Sequence, residues 1–166
     1  YSYVPPTPFR LKDWERYDVS RFVDPGSTAP DEGIRTVEIP DYEAEYSTIK
    51  KDIEILTQDL NMKKTIMLFH TPPYDSYLDR AALDGMMFDH VPLDVHVGSI
   101  AVQRFIAEKQ PMITLHGHVH ESSRITGHWK QQFGETKSFS AAYDGEELAL
   151  VKIDLGHPEN AVRELL

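Results

Sequence analysis

The feature that most constrains the fold is a pair of short apolar runs that each end at a histidine. Residues 65–69 lead into His70, and residues 112–115 lead into His116. Short, almost wholly apolar runs are typical of strands that are covered on both faces, as in a parallel sheet. Parallel strands need a long crossover, and a helix-like segment at 98–110 lies between the runs. We therefore expect a strand–helix–strand unit whose two strands end at the same edge of one sheet.

Two amphipathic helices are predicted around this unit. The first runs from an N-cap at Asp41 to about residue 60, because apolar residues recur there at spacings of three and four, namely Tyr46, Ile49, Ile53, Leu56 and Leu60. The second opens at Gly98 and Ser99 and ends before Pro111, with an inner face of Ala101, Phe105 and Ile106. Each helix is expected to bury one face and to solvate the other.

The 166 residues accommodate one folding unit, and the mixture of elements predicts an α+β fold. Residues 1–40 are interpreted as an irregular lead-in with a short strand at 34–39, and residues 41–155 as the α/β core. The core is expected to close with three strands, at 129–133, 136–141 and 148–154. Residues 156–166 are predicted to be a tail or a single helical turn.

Charge and cysteine content narrow the function classes. The formal charge of −10 disfavours a broad basic surface for nucleic acid, and no apolar run approaches a membrane span. The chain contains no cysteine, so a metal ligand must be histidine, carboxylate or amide oxygen. The same absence is in keeping with a cytoplasmic protein.

Gly117-His118-Val119-His120 is the most informative stretch of the sequence. Two histidines two positions apart point to related places only if the backbone turns sharply, which the preceding glycine permits. Neutral imidazole is the commonest protein ligand for Zn, Mn, Fe and Ni. The alternative is a pair of turn histidines, one exposed and one hydrogen-bonded, and the stretch by itself favours neither interpretation.

His70 shifts that balance towards a metal site, since it also follows an apolar strand, and Thr71-Pro72-Pro73 stiffens the exit from it. If the strands are parallel neighbours, three imidazoles converge at one sheet edge. The alternative is that His70 is a core histidine that caps its strand. His116 is expected to face the opposite side of its strand, and three further histidines are expected at the surface: His90, His128 and His157.

The segments FHTPPY, HVGSIAVQRFI and LHGHVH together resemble the later motifs of the calcineurin-like metallophosphoesterases. The resemblance implies a four-layer αββα sandwich of two mixed sheets. It also implies two divalent ions (Mn, Fe, Zn or Ni) that activate a water for attack on phosphorus. Carried over by position, His70 and His118 bind one ion and His120 the other. The implied substrate is a phosphate-ester small molecule, with nucleotides among the candidates.

The first three motifs of that family are missing from this sequence. Asp-x-His, Gly-Asp-x-x-Asp and Gly-Asn-His-Asp/Glu do not occur in order; neither Asn61 nor Asn160 precedes a histidine, and Asp94-Val95-His96 comes after the fourth motif. We therefore expect the C-terminal portion of one metallophosphoesterase domain, completed by an N-terminal half in the same protein or by a complementary chain. The alternative is a noncatalytic interaction module with at most one weak metal site.

Substrate contacts are expected just before the second helix, where a helix N-terminus attracts a phosphate. His96, Gly98 and Ser99 are the candidates there, the last two through their backbone amides, and Tyr74 at the end of HTPPY joins them. For His96, capping or packing on the helix is an equal alternative. No residue is assigned an acid–base catalytic role.

Overall fold

The computed structural model describes residues 49–166, so the predictions for Asp41 and for residues 1–40 lie outside the described residues. The helices are α1 (Ile49–Thr57), α2 (Ile100–Lys109) and α3 (Ser122–Thr126), with 3-10 turns at Met62–Lys64 and Pro158–Asn160. The strands are β1 (Ile66–Leu68), β2 (Met87–Phe88), β3 (Val91–Pro92), β4 (Ile113–His116), β5 (Lys130–Phe133), β6 (Thr136–Ser140), β7 (Ala149–Lys152) and β8 (Val162–Leu165).

The predicted strand–helix–strand unit is confirmed as β1–α2–β4. Strands β1 and β4 pair in parallel with Ile66 opposite Ile113, and the four-stranded sheet has the order β1-β4-β6-β5. Strand β6 is parallel to β4, and β5 is antiparallel to β6. The fold is therefore α+β with a mixed sheet. Because β1 and β4 end together, the Gly117 amide donates to the His70 carbonyl at 2.9 Å.

Helices α1 and α2 pack on the face of the sheet from which Met67 and Phe69 project. Ser99 caps the start of α2 by accepting a hydrogen bond from the Val102 amide at 3.1 Å. At the other end Gln110 is the C-cap, with a left-handed φ of 51°, and Pro111 follows it. The predicted helix and its inner-face residues Phe105 and Ile106 are confirmed, and Val102 is fully buried beside them. The buried cluster on this side comprises Ile49, Ile53, Phe69, Val102, Phe105 and Ile106.

The predicted end and buried face of the first helix are partly wrong. Helix α1 ends at Thr57 rather than near residue 60, and Leu56 and Leu60 are 64% and 49% exposed. The buried positions are Ile49, Ile53 and Thr57, which follow each other in steps of four. Leu56 falls outside this stripe, and Leu60 lies beyond the helix end.

The expectation that residues 65–69 are covered on both faces is also wrong within the described part of the chain. Strand β1 is an edge strand of the four-stranded sheet, with Ile66 43% and Leu68 78% exposed. Met67 packs instead against the helical cluster. One face of β1 is thus packed, and the other presents two large apolar side chains.

Residues 156–166 are not a tail. After a 3-10 turn they form β8, which pairs antiparallel with β7, placing Arg163 opposite Val151. Ala161, just before β8, is buried in a second cluster with Ile113 and Phe139, and this contact anchors the terminal hairpin on the sheet. No helix in residues 49–166 is both long and apolar enough to span a bilayer.

Candidate metal centre

The turn after β1 and the turn after β4 bring two histidines into direct contact. Nδ1 of His118 lies 3.0 Å from Nε2 of His70, and the ring centroids are 4.8 Å apart at an interplanar angle of 66°. His70 is exposed and His118 is half-buried. Because β1 and β4 are parallel neighbours, this pair follows from the topology that the two apolar runs predict.

The sharp turn between the histidines does not depend on Gly117 as expected. The left-handed backbone is at His118, whose φ is 71°, and Gly117 is not among the residues with positive φ. A Cβ at Gly117 would lie 3.7 Å from the His70 carbonyl oxygen, which is ordinary contact. A non-glycine residue in this conformation costs on the order of 1–3 kcal/mol and is concentrated at functional sites. The strain therefore falls on a proposed ligand.

Of the three imidazoles expected to converge, the structure brings two into contact, since His120 makes no hydrogen bond or ring contact with His70 or His118 among residues 49–166. The effect of His120 on the other two is electrostatic. Burial is the largest cause that lowers the pKa of His118, followed by the charges of His70 and His120, while Glu121 opposes the shift. Although His70 is exposed, its ring is partly desolvated, and this desolvation is the main cause that lowers its pKa, with His120 contributing in the same direction. Both imidazoles are consequently neutral near neutral pH, which is the form that binds a metal ion.

The separation of the two nitrogens is compatible with one shared ion. Two nitrogens each about 2.0–2.1 Å from an ion lie roughly 3.3 Å apart at a tetrahedral angle and roughly 2.9 Å apart at a right angle. The observed 3.0 Å falls in that range, and it is equally the length of a hydrogen bond between the two rings. Within residues 49–166, however, no group of three or more His, Cys, Asp or Glu side chains is arranged to hold a metal ion. The described residues therefore bring two imidazole nitrogens together without a third donor.

His116 belongs to the protein interior. It is buried, stacks on Phe69 with ring centroids 5.8 Å apart, and takes no part in the exposed pair. Its ring Nδ1 donates to the Thr71 carbonyl at 3.0 Å, while Nε2 accepts from the Thr114 hydroxyl at 2.8 Å. Burial lowers the pKa of His116 to about 4, with the bond to Thr71 opposing the shift.

This buried imidazole should make stability depend on pH. The pKa of His116 is about 4 in the folded chain, against 6.5 for a histidine in water. The unfolded chain therefore takes up a proton first as pH falls. The free energy of unfolding that depends on neutral His116 is fully present above pH 6.5 and is lost as pH falls towards 4. The loss amounts to about 3 kcal/mol. Urea denaturation at pH 7 and pH 4.5 measures it, and His116→Asn should flatten the dependence relative to the unchanged chain. An equal slope in both proteins would contradict the assignment.

A buried carboxylate organises the loop between His70 and α2. Asp79 has 0% exposure and accepts from the backbone amides of Asp75, Ser76 and Gly98 at 2.9–3.1 Å. It also accepts from the Ser76 hydroxyl at 3.3 Å and from Nδ1 of His96 at 2.7 Å. Sequence reasoning misses this role, because Asp79 and His96 are 17 positions apart and no local pattern links them.

The contacts of His96 fix its ring. With Nδ1 held by Asp79, its Nε2 lies 3.6 Å from a carboxylate oxygen of Asp75, and the side chain is only partly exposed. The Tyr74 hydroxyl donates to Asp94 at 2.7 Å, and the same carboxylate accepts the His96 amide. These bonds tie Tyr74 and His96 to the loop, and contact between either residue and a substrate stays a prediction.

The amides of Gly98 and Ser99 are not open to a phosphate, contrary to expectation. Gly98 donates to Asp79 at 3.0 Å, and Ser99 donates to the Pro72 carbonyl at 2.8 Å. A Cβ at position 98 would come within 2.6 Å of the Pro73 carbonyl oxygen, so the loop requires glycine there for close packing. The physical role of this segment is to dock the start of α2 beneath the two prolines.

The remaining histidines lie at the surface as predicted. His90, His128 and His157 are exposed, and the ring of His128 stacks on Tyr77 with centroids 4.4 Å apart. None of these contacts involves the His70–His118 pair.

No protein-family model matches the chain, and no curated protein matches it. A solved structure aligns with 71% of this chain and 40% of its own chain, with 20% sequence identity and a TM-score of 0.49. The chain thus spans less than half the length of that structure. At this TM-score the likeness supports no inference about activity.

Proposed function

We propose that this chain supplies His70, His118 and His120 to the dinuclear metal centre of a phosphate-ester hydrolase. The substrates would be phosphomonoesters, phosphodiesters or pyrophosphates. The observation that supports the proposal best is the 3.0 Å contact between His118 Nδ1 and His70 Nε2 where two parallel strands end. Two apolar strands deliver these rings to one place, and partial desolvation lowers the pKa of both imidazoles.

In this proposal the histidines hold ions and move no protons. His70 and His118 hold one divalent ion and His120 the other, with Mn, Fe, Zn and Ni as the candidates because the donors are imidazoles. When bound, such ions lower the pKa of a water and neutralise phosphoryl oxygens. His116 and Val119, which flank Gly117 and His118 in the chain, are both buried.

The proposed centre needs further donors and a larger fold. Stable divalent sites hold three or four protein ligands, and the described residues bring together two in contact. We propose that the four-stranded sheet is one of two sheets in a four-layer αββα sandwich. The apolar side chains of Ile66 and Leu68, exposed on edge strand β1, support this, because residues supplying the other ligands would cover them.

Metal titration tests the ligand count. The 166-residue chain should bind at most one Mn²⁺ or Zn²⁺ ion, with a dissociation constant weaker than about 10 μM, and should not hydrolyse p-nitrophenyl phosphate. Calorimetry and a chromogenic assay measure both. Two tightly bound ions with rapid turnover by this chain would show that other residues make the site.

A noncatalytic interaction module is the second candidate, favoured by the lack of a three-donor group among residues 49–166. The intact protein distinguishes the two. Hydrolysis that EDTA abolishes and Mn²⁺ restores supports the enzyme, whereas a folded intact protein without metal-dependent turnover supports the module.

A further inference from the structure

A cavity of about 610 Å³, here called the Arg163 cleft, is lined by none of the three histidines that are proposed as metal ligands. Its lining combines two arginines, two aromatic rings and two smaller polar residues: Arg124, Arg163, Trp129, Tyr143, Ser123 and Asp144. Neither the sequence motifs nor the proposed metal centre accounts for it. The cleft contains two positive charges and one negative charge, whereas the formal charge of the whole chain is −10.

Of the two arginines that line the cleft, Arg163 has no carboxylate partner among residues 49–166. Its Nη2 donates to the Ala142 carbonyl at 2.9 Å, and the guanidinium lies 5.2 Å from the centre of the Tyr143 ring. Its Nε is buried and makes no hydrogen bond among residues 49–166, so the terminal nitrogens are the donors that a ligand in the cleft can reach. Half-buried guanidinium groups bind phosphate or carboxylate strongly, because several N–H donors face the anion in a medium of reduced polarity.

Arg124 provides a second cation on the same lining. Its Nε donates to Asp144 at 2.7 Å, and within the described residues no bond is made by its terminal nitrogens. Trp129 and Tyr143 add apolar wall beside these charges. A ligand that satisfies both features carries an anionic group joined to a flat apolar ring.

The cleft adjoins the proposed metal centre. Helix α3 begins two residues after His120, and it carries Ser123 and Arg124, so the cleft opens within about one helical turn of that histidine. The pKa of Asp144 is lowered chiefly by its hydrogen bond from Arg124, and His120 contributes to the same shift. The carboxylate of Asp144 therefore interacts electrostatically with Arg124 in the cleft and with His120 of the proposed metal centre.

We propose that the Arg163 cleft binds the anionic aromatic part of a small molecule, with Arg163 and Arg124 holding a phosphate or carboxylate group and Trp129 and Tyr143 contacting its ring. That this ligand is the leaving group of the phosphate ester rests on the proposed function. Binding itself does not, since none of the cleft residues is a proposed metal ligand.

Binding to EDTA-treated protein separates the two ideas. The chain contains two tryptophans, Trp14 and Trp129, and Trp129→Phe assigns the indole N–H signal of the cleft in NMR spectra. Phenyl phosphate or benzoate should shift the Trp129 signal with a dissociation constant below about 1 mM. Comparing the two probes shows whether phosphate or carboxylate is preferred. Phenol and inorganic phosphate should each bind about tenfold more weakly, because each lacks one of the two recognised features.

Arg163→Gln should weaken binding of the better probe about tenfold. Lys152→Gln is the matched control, because it removes one positive charge from the same hairpin outside the cleft, and it should leave the affinity unchanged. Ser123→Leu adds bulk to the cleft from helix α3, a different element from the strand that carries Arg163, and should abolish the shift even if Arg163→Gln loosens β8. Unchanged affinity in Ser123→Leu, or phenol binding as tightly as phenyl phosphate, would overturn the proposal.

Discussion

His120→Ala should lower the phosphoesterase kcat of the intact protein at least about 1,000-fold, equivalent to roughly 4 kcal/mol of transition-state stabilisation. The reason is that His120 is the chain's proposed donor to the second ion, and removing a direct ligand costs more than the roughly 10–100-fold typical of residues that only support ligands. The ring is exposed, so the free energy of unfolding should change little. Steady-state turnover of an aryl phosphate at saturating Mn²⁺ measures the effect.

His157→Ala is the matched control for this substitution. His157 is exposed like His120, and its ring contacts Glu159 at 3.3 Å. The His157→Ala protein should retain the full kcat. If His120→Ala turned over substrate at the unchanged rate while folded, His120 would not be a ligand.

Asp79→Ala should destabilise the chain by about 4 kcal/mol. The carboxylate is fully buried and accepts from five donors, including the ring of His96 and the amide at the start of α2. Removing it leaves buried donors unsatisfied and detaches the loop from the helix. Urea denaturation, followed by circular dichroism, gives the free energy of unfolding.

Asp84→Ala controls for the loss of a negative charge from the same loop. Asp84 is exposed and its partner is Arg80, so the expected cost is below about 1 kcal/mol. Asp79→Asn should fall between the two, because it keeps the shape and one acceptor oxygen. A cost below about 1 kcal/mol for Asp79→Ala would contradict the role given to this carboxylate.

Local sequence patterns predict the elements that place the His70–His118 pair. Two apolar runs with a helix between them are enough, because parallel pairing and a crossover leave few arrangements of β1, α2 and β4. The position of His70 and His118 at a shared edge follows from those strands. Backbone detail does not follow, since the left-handed residue is His118 and not the more permissive Gly117.

Long-range polar contacts escape prediction for a physical reason. The bond between Asp79 and His96 joins residues that sequence periodicity treats as separate loop positions, and only the folded loop brings them to 2.7 Å. The same holds for Arg163, whose place in the cleft depends on β8 pairing with β7. Strand β8 is not predicted, because it lacks a strong alternating pattern and is held by pairing and packing at the sheet.

The central claim is that His70 and His118 share one divalent ion, and paramagnetic NMR tests it most directly. Trace Mn²⁺ should broaden the imidazole signals of His70 and His118 in the unchanged chain, and the same Mn²⁺ concentration should leave His118 sharp in His70→Ala, because a shared ion that loses one of its two ring ligands binds far more weakly. The exposed ring of His157 should stay sharp at that concentration. Broadening of His118 that persists undiminished in His70→Ala at that concentration, or broadening of His157 equal to that of His118 in the unchanged chain, would contradict a shared site.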